Sequence, residues 1–214
     1  MPDYPPGRYS HVLVGHVWPS GSNLATVGKA STDFGNTATA YQALQDQLRQ
    51  ARFGPLAGQA GVTADDVRDA FQRGESHAGT VAEKNAAKLA AFTSVRDALS
   101  ELRSALTSIA EDGETQIAQV QRGDGSAATK LDNIGEVVLA CQARANAKAA
   151  ACGEGILSAV QRVLDAEGIG KSARQFAAEH GIDTGRMFAH PNLASARAQA
   201  AAIVYEDKAF DATR

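Results

Sequence analysis

Large apolar residues recur every seven positions near the start of this chain, and this period predicts helices rather than strands. Val27, Phe34, Tyr41 and Leu48 stand seven residues apart. A stripe with this spacing lies on one face of a helix, as in a coiled coil or a helical hairpin. Smaller or apolar residues fill intermediate positions of the same face: Ala30, Thr37 and Leu44.

Residues that start and stop helices bound this first predicted helix. Ser20 or Ser22 can accept a hydrogen bond from a free N–H group of its first turn. The run Phe53-Gly54-Pro55 ends it. After a turn at residues 54–61, Thr63 has the character of the next N-cap, so the second helix begins close behind the first and should pack antiparallel to it.

The second predicted helix is unusually long. At 1.5 Å per residue, about 45–55 residues would span roughly 70–80 Å, and a helix of this length needs a packing partner. Gly74, Gly79 and Gly113 are expected kink sites. The apolar stripe comprises Val67, Phe71, Ala78, Val81, Leu89, Phe92, Val95, Leu99, Leu102, Leu106 and Ile109, and it extends to Ile117 and Val120.

The remaining segments complete an all-α fold. A third helix is predicted at 126–164, bent or broken by Gly153 and Gly155, and two short helices follow in a small C-terminal module, 165–214. Because Pro2, Pro5 and Pro6 oppose an early helix, residues 1–20 are expected as an extended arm, with 11–18 as a short strand or extended segment. We predict an elongated helical bundle, 21–164, built on the long antiparallel hairpin 21–120.

Composition and charge narrow the possible partners. Hydrophobic residues make up 44% of the chain and aromatic residues only 6%. The net charge is −3, which argues against a nucleic-acid partner and against a polybasic membrane anchor. No run of about 18 apolar residues predicts a membrane-spanning helix. The N-terminus lacks the pattern of a general secretory signal peptide.

The cysteines and two of the histidines do not predict a chemical site. Cys141 and Cys152 are eleven residues apart, so they share a helix face at a separation of about 16 Å, which is too far for a disulfide. We expect both to be small core residues. His11 and His16 lie in the N-terminal arm, away from the three or four ligands that a metal site needs.

Two short motifs are interpreted as turns. Gly170-Lys171-Ser172 resembles the end of a phosphate-binding P-loop, but Asp165 stands where that motif has its first glycine and no strand precedes it. Arg122-Gly123-Asp124 matches a receptor-binding tripeptide, and it falls between two predicted helices. The sequence therefore predicts no enzyme and no catalytic, cofactor-binding or metal-binding residues.

One loop keeps an enzymatic alternative open. His180, Asp183, Arg186 and His190 occur together in a stretch without a helical pattern. Loops carry function more often than the elements that they connect, and histidine with an acid can bind a metal or transfer protons. The alternative is a regulatory or metal-dependent enzymatic module with a site near 180–190.

A family resemblance begins at Trp18-Pro19-x-Gly21, which Leu24 and the heptad-striped helix follow. This pattern resembles the helical domains of the WXG superfamily, in its larger actinobacterial and mycobacterial members associated with type VII secretion. It covers at most residues 18–110. The small members carry Trp-x-Gly between their two helices, whereas Trp18 precedes the first helix here. Their export signal, a tyrosine with an acid four residues later, does not occur in this chain.

The resemblance implies a non-enzymatic helical interaction protein that acts by helix–helix association, as a substrate, an accessory protein or a fused module of type VII secretion. Its partner would be another helical protein or a second copy, and its location the cell envelope or the exterior, with the cytoplasm as the alternative. A structural spacer domain of a larger protein is a further alternative. The structural and interaction candidates are Trp18, Gly21, Phe34, Tyr41 and Phe92.

Overall fold

A computed structural model describes residues 3–185 and 191–211, with side chains as far as Ala202, and every regular element in this part is helical. This confirms the predicted all-α class. A short 3₁₀ turn, Gly15–Val17, follows the first helix. The described helices are α1 (Ser10–Val14), α2 (Gly21–Phe53), α3 (Val62–Arg122), α4 (Ala127–Glu167), α5 (Ala173–Glu179) and α6 (Leu193–Asp211).

The predicted cap at Ser20 is confirmed, and α5 also begins at a serine cap. The Ser20 hydroxyl accepts the N–H of Asn23 at 3.3 Å and caps α2. Before α5, the Ser172 hydroxyl accepts the N–H of Gln175 at 3.2 Å, and the Gln175 side chain accepts the N–H of Ser172 at 2.9 Å. This reciprocal pair satisfies two N–H groups that the helix itself leaves without acceptors.

The predicted cap at Thr63 is wrong, because α3 begins one residue earlier. The Gly61 carbonyl accepts the N–H groups of Ala64 and Asp65 at 2.9 and 3.1 Å. Gly61 reaches this geometry with a φ of +110°, a value that side chains disfavour. A glycine therefore starts the second helix, and no hydroxyl is needed as a cap.

The extended arm predicted for residues 11–18 is also wrong, since this segment is helical from Ser10 to Val17. The Tyr9 carbonyl accepts the N–H groups of Val12 and Leu13 at 2.9 and 3.0 Å. Leu13 and Val14 are almost completely buried. The prolines lie upstream of this turn, so they do not oppose it, and burial of Leu13 and Val14 stabilises it.

The glycines that were expected to kink or break the long helices do not break them. Gly113 lies inside the continuous α3, and Gly155 lies inside the continuous α4. A glycine costs roughly 1 kcal/mol relative to alanine in a helix interior, which packing easily offsets. At Gly113 the free space is used, because a Cβ atom there would lie 2.8 Å from the Leu13 methyl groups and 3.0 Å from the Cys141 sulfur.

Contacts divide the chain into two compact units, each assembled from separate stretches of sequence. The core unit comprises Met1–Leu24, Asp97–Gly155 and Ala177–Arg214, and the hairpin unit comprises Ala25–Arg96 and Ile156–Phe176. The three-part division suggested by the sequence stays a prediction. The core unit has a closely packed interior whose largest fully buried residues are Leu13, Val14, Leu106, Ile117, Ile134, Val138 and Cys141.

The hairpin unit has a different interior, in which small side chains predominate. Leu164 is a large aliphatic residue that is buried there. Its other buried residues include Ser31, Ala78, Ala82, Asn85, Ala91, Ala159 and Ala173. The large apolar side chains of this unit are only half-buried: Val27, Phe34, Tyr41, Leu48, Val67, Phe71, Val81, Leu89 and Phe92.

Candidate functional site

The hairpin unit is built on antiparallel packing between α2 and α3. The Ser31 and Thr93 hydroxyls lie 3.0 Å apart near the base of the hairpin. Nearer the connecting loop, a Cβ atom at Gly74 would lie 3.2 Å from a Leu48 methyl group. Arg52 donates to the Glu75 carboxylate at 2.9 Å close to the end of α2. The two helices therefore stay in register along the whole of α2 beyond Ser31.

The end of α4 covers the part of the hairpin near its base. The Glu167 carboxylate accepts hydrogen bonds from Lys84 at 3.0 Å and from Lys88 at 2.6 Å. The hydrogen bond from Lys88, then that from Lys84, lowers the pKa of Glu167. Upstream on α4, the Arg162 guanidinium donates to the Ser94 hydroxyl at 3.0 Å.

Two of the predicted interaction candidates meet on this covered part. The rings of Phe34 and Phe92 lie 5.2 Å apart at an interplanar angle of 47°. The Lys88 ammonium lies 5.6 Å from the Phe34 centroid, so the lysine that binds Glu167 also contacts this aromatic pair. A contact of this kind stabilises by about 0.5–1 kcal/mol at an exposed site. The third candidate of this unit, Tyr41, lies one heptad farther along α2.

The chain turns back at the end of α4 instead of continuing along the hairpin. Gly168 has a φ of +74°, and the Ile169 N–H donates to the Leu164 carbonyl at 2.9 Å. The Ala173 N–H then donates to the Gln161 side chain at 2.7 Å, which places the start of α5 beside α4. Within the described hairpin unit, the outer parts of α2 and α3 thus have only each other as helical partners.

Along one heptad column of α3, exposure changes at the point where α4 stops covering the hairpin. Ala91 is buried and Lys84 is half-buried, whereas His77 and Ala70, which continue the same column towards the loop, are exposed. Residues seven apart share a helix face, so exposure changes along this column because the covering helix stops. The exposed continuation lies beyond Glu167.

We name the uncovered continuation of this face the distal groove. Tyr41 and Leu48 continue the Phe34 column on α2, and Val81, Gly74 and Val67 continue the Lys88 column on α3. Leu44 flanks the groove on α2 and is 41% exposed. The distal groove comprises Tyr41, Leu44, Leu48, Val67, Gly74 and Val81.

The loop beyond the groove is held by an arginine. The Arg68 guanidinium donates to the carbonyls of Leu56 at 2.8 Å and Gln59 at 2.7 Å. Phe53 and Val62, at the two ends of the loop, are 64% and 78% exposed. The hairpin tip is thus anchored to α3 while apolar side chains remain in solvent.

Trp18 and Gly21 lie in the core unit, where they belong to a clamp with Asp3 and Arg103. The Trp18 indole N–H donates to the Asp3 carbonyl, and the Gly21 N–H donates to the Asp3 carboxylate at 2.8 Å. Arg103 donates to that carboxylate at 2.8 Å and to the Pro19 carbonyl at 2.7 Å, and its guanidinium lies 4.3 Å from the Trp18 centroid. The hydrogen bond from Arg103, then that from Gly21, lowers the pKa of Asp3.

These contacts give Trp18 and Gly21 a structural role at the start of α2. The other three candidates lie in the hairpin unit, so the five residues do not form one site. Sequence reasoning missed Asp3 and Arg103, which stand 100 residues apart. It also missed the two lysines that hold Glu167, because no local pattern indicates where α4 ends against α3.

The residues considered for chemistry do not assemble in the described part of the chain. There, no group of three or more His, Cys, Asp and Glu residues is arranged to hold a metal ion. His180 is exposed, and Asp183 accepts the N–H of Gly185 at 3.0 Å. The other two members of the proposed 180–190 site, Arg186 and His190, lie outside the described residues, so that alternative stays a prediction.

The two cysteines are buried free thiols, and burial raises the pKa of both Cys141 and Cys152. Their expected place in the interior is confirmed.

The length and hydrophobicity of the helices bear on whether one of them could span a membrane. Across the described helices, none is both long and apolar enough to cross a bilayer.

The chain has a mycobacterial relative. It is 34% identical over 180 residues to the uncharacterized protein Rv2082 of Mycobacterium tuberculosis. The match covers 84% of this chain and 24% of the relative, so the chain spans about a quarter of that protein's length. No protein-family model matches the chain, and no solved structure matches it. The resemblance to the WXG superfamily stays a prediction.

Proposed function

We propose that this protein is a non-enzymatic interaction module that binds a helix in the distal groove. The observation that supports this proposal most directly is the change in exposure along one column of α3. Ala91 is buried, whereas His77 and Ala70 are exposed. The face that α4 covers near the base of the hairpin is open farther out. An uncovered apolar face that continues a covered one favours a further helix as its partner.

The composition of the groove supports this proposal. Tyr41 and Leu48 are half-buried, and Leu44 is 41% exposed. Burial of apolar surface contributes about 25 cal/mol per Å², and aromatic residues often carry a large share of the binding energy.

Type VII secretion is the proposed biological setting, with the protein acting as a substrate, an accessory protein or a fused module in the envelope or outside the cell. This part of the proposal rests on the Trp18-Pro19-x-Gly21 resemblance, and the mycobacterial relative is compatible with it. The clamp around Asp3 gives the motif a structural purpose, since it fixes the start of the striped helix α2.

A test is co-expression with helical-hairpin proteins of an actinobacterial type VII system, followed by solution mass measurement by light scattering. We expect a complex with one of them or with a second copy, and we expect Leu44→Ser to weaken it. Leu193→Ser is the matched control, because Leu193 is also 41% exposed but lies in the core unit. A 22.3 kDa monomer under every condition would contradict the proposal.

The second candidate is a structural spacer domain of a longer protein. The observation that favours it is the length of the mycobacterial relative, of which the matched segment is 24%. A spacer has no need of the distal groove. In that case Leu44→Ser would change no association, with any partner or with a second copy.

A further inference from the structure

The segment of α4 that covers the hairpin shows what kind of helix this face accepts. In residues 156–167, the side chains of Ala159 and Leu164 are buried in the hairpin unit. The Arg162 guanidinium donates to the Ser94 hydroxyl at the margin of the covered face. The last residue of this segment, Glu167, places a carboxylate between two lysines of α3. The face thus accepts an amphipathic helix that directs an acidic side chain towards α3.

The margin of the distal groove continues this charge pattern on α3. Arg73 and His77 are exposed beside the groove. Within the described chain Arg73 makes no ion pair, whereas Lys84 at the inner end is already paired with Glu167. The opposite margin on α2 carries Ala40 and Gln47, which have no charge. The α3 side of the groove therefore carries a cation at Arg73 and carboxylates towards the loop at Asp69 and Asp66, whereas the α2 side is neutral.

We infer that the distal groove takes a single amphipathic helix of a partner protein, laid end to end with α4, with an acidic residue facing Arg73. This inference rests on the proposed function and specifies its partner. The distal groove continues the face on which α4 packs, and this continuity argues for one helix in the groove. The unpaired Arg73 argues for an acid on its α3 side, because opposite charges across an interface favour one partner over others.

Asp69, one turn beyond Arg73 on α3, and Asp66, one heptad beyond it, limit how far the acidic flank of the partner extends. Asp66 is exposed near the hairpin tip, so an acid of the partner opposite it would be repelled. The acidic residue of the partner therefore belongs near the middle of the groove, opposite Arg73. The apolar face of the partner would lie against Leu44 and Leu48.

The experiment uses the full chain and two synthetic three-heptad peptides with the same apolar face. One peptide carries glutamates on the flank and the other carries lysines. Fluorescence anisotropy at low salt measures the Kd of each. We expect the acidic peptide to bind about five-fold more tightly than the basic one. The exposed Arg73 attracts a glutamate and repels a lysine, and the difference between two such exposed charge interactions is of this size. Arg73→Glu should reverse the preference, whereas Arg122→Glu, an exposed arginine of the core unit, should leave it unchanged.

Other outcomes separate this inference from the proposed function. Equal binding of both peptides, or equal effects of Arg73→Glu and Arg122→Glu, would overturn the inference that the partner is acidic. The distal groove would still be the binding site if Leu44→Ser weakened binding and Leu193→Ser did not. If neither peptide binds but the chain forms a dimer that Leu44→Ser disrupts, the occupant is a second copy and the inference fails. If Leu44→Ser affects neither binding nor mass, both proposals fail.

Discussion

At the scale of single residues, Asp3 joins the N-terminus to two other parts of the core unit. Its carboxylate accepts the first N–H of α2 at Gly21 and binds the Arg103 guanidinium of α3. An anion at a helix N-terminus is favoured by the helix dipole, and Arg103 adds a second favourable interaction. These contacts explain the lowered pKa of Asp3 and give it a pH-dependent effect on stability.

We expect Asp3→Ala to lower the thermal midpoint at neutral pH and to have less effect in acid. The folded pKa of Asp3 is lowered, so its contribution is fully present above the unfolded value of about 3.9. It is lost as the pH falls from there through the folded pKa. Thermal melts of wild type and variant at pH 7 and below pH 3 check this.

Asp124→Ala is the control for this measurement. Asp124 is exposed in the turn after α3, and its removal should leave the midpoint nearly unchanged at both pH values. If the effect of Asp3→Ala were the same at neutral and acidic pH, the carboxylate charge would not be the stabilising feature.

At the scale of helices, the two glycines expected to interrupt α3 and α4 have different surroundings. Gly113 faces Leu13 and Cys141, which occupy the space that a side chain would need. Gly155 has no other atom within 4 Å of the position that a Cβ atom would take. Glycine is therefore required by packing at the first position and by nothing visible at the second.

The two alanine variants should have opposite effects on the free energy of unfolding. Gly113→Ala should destabilise by about 1–2 kcal/mol, because Leu13 is completely buried and has no room to move away. Gly155→Ala should stabilise by about 0.4–1 kcal/mol, because alanine reduces the conformational entropy of the unfolded chain. Urea unfolding of both variants beside wild type measures the difference. Two changes of the same sign would contradict the packing argument.

At the scale of the molecule, the heptad spacing was sufficient to predict the all-α class and the hairpin. It identified Phe34 and Tyr41 as members of one stripe, because that depends only on local periodicity. It predicted the end of the third helix at 164, close to the observed end at Glu167, but it could not show where this end lies on the hairpin, since that depends on Lys84 and Lys88, about 80 residues away. The groove exists because of that stop, so Leu44 and its exposure could not be distinguished from the rest of the stripe.

The same stop predicts a gradient of local stability along the hairpin. Within the described part of the chain, α3 residues 84–96 contact both α2 and α4, whereas residues 62–83 have only α2 as a helical partner. Segments with fewer buried apolar contacts open more readily. We therefore expect the amides of residues 62–83 to exchange faster than those of 84–96, as measured by hydrogen–deuterium exchange with mass spectrometry.

Binding in the distal groove should reduce this gradient. A helix that continues the position of α4 would bury the faces of Ala70 and His77 and slow exchange in residues 62–83. Exchange in the core unit should change little, which provides an internal control. If partner binding protected the core unit and left residues 62–83 unchanged, the binding surface would lie elsewhere and the exposed heptad column would have no part in association.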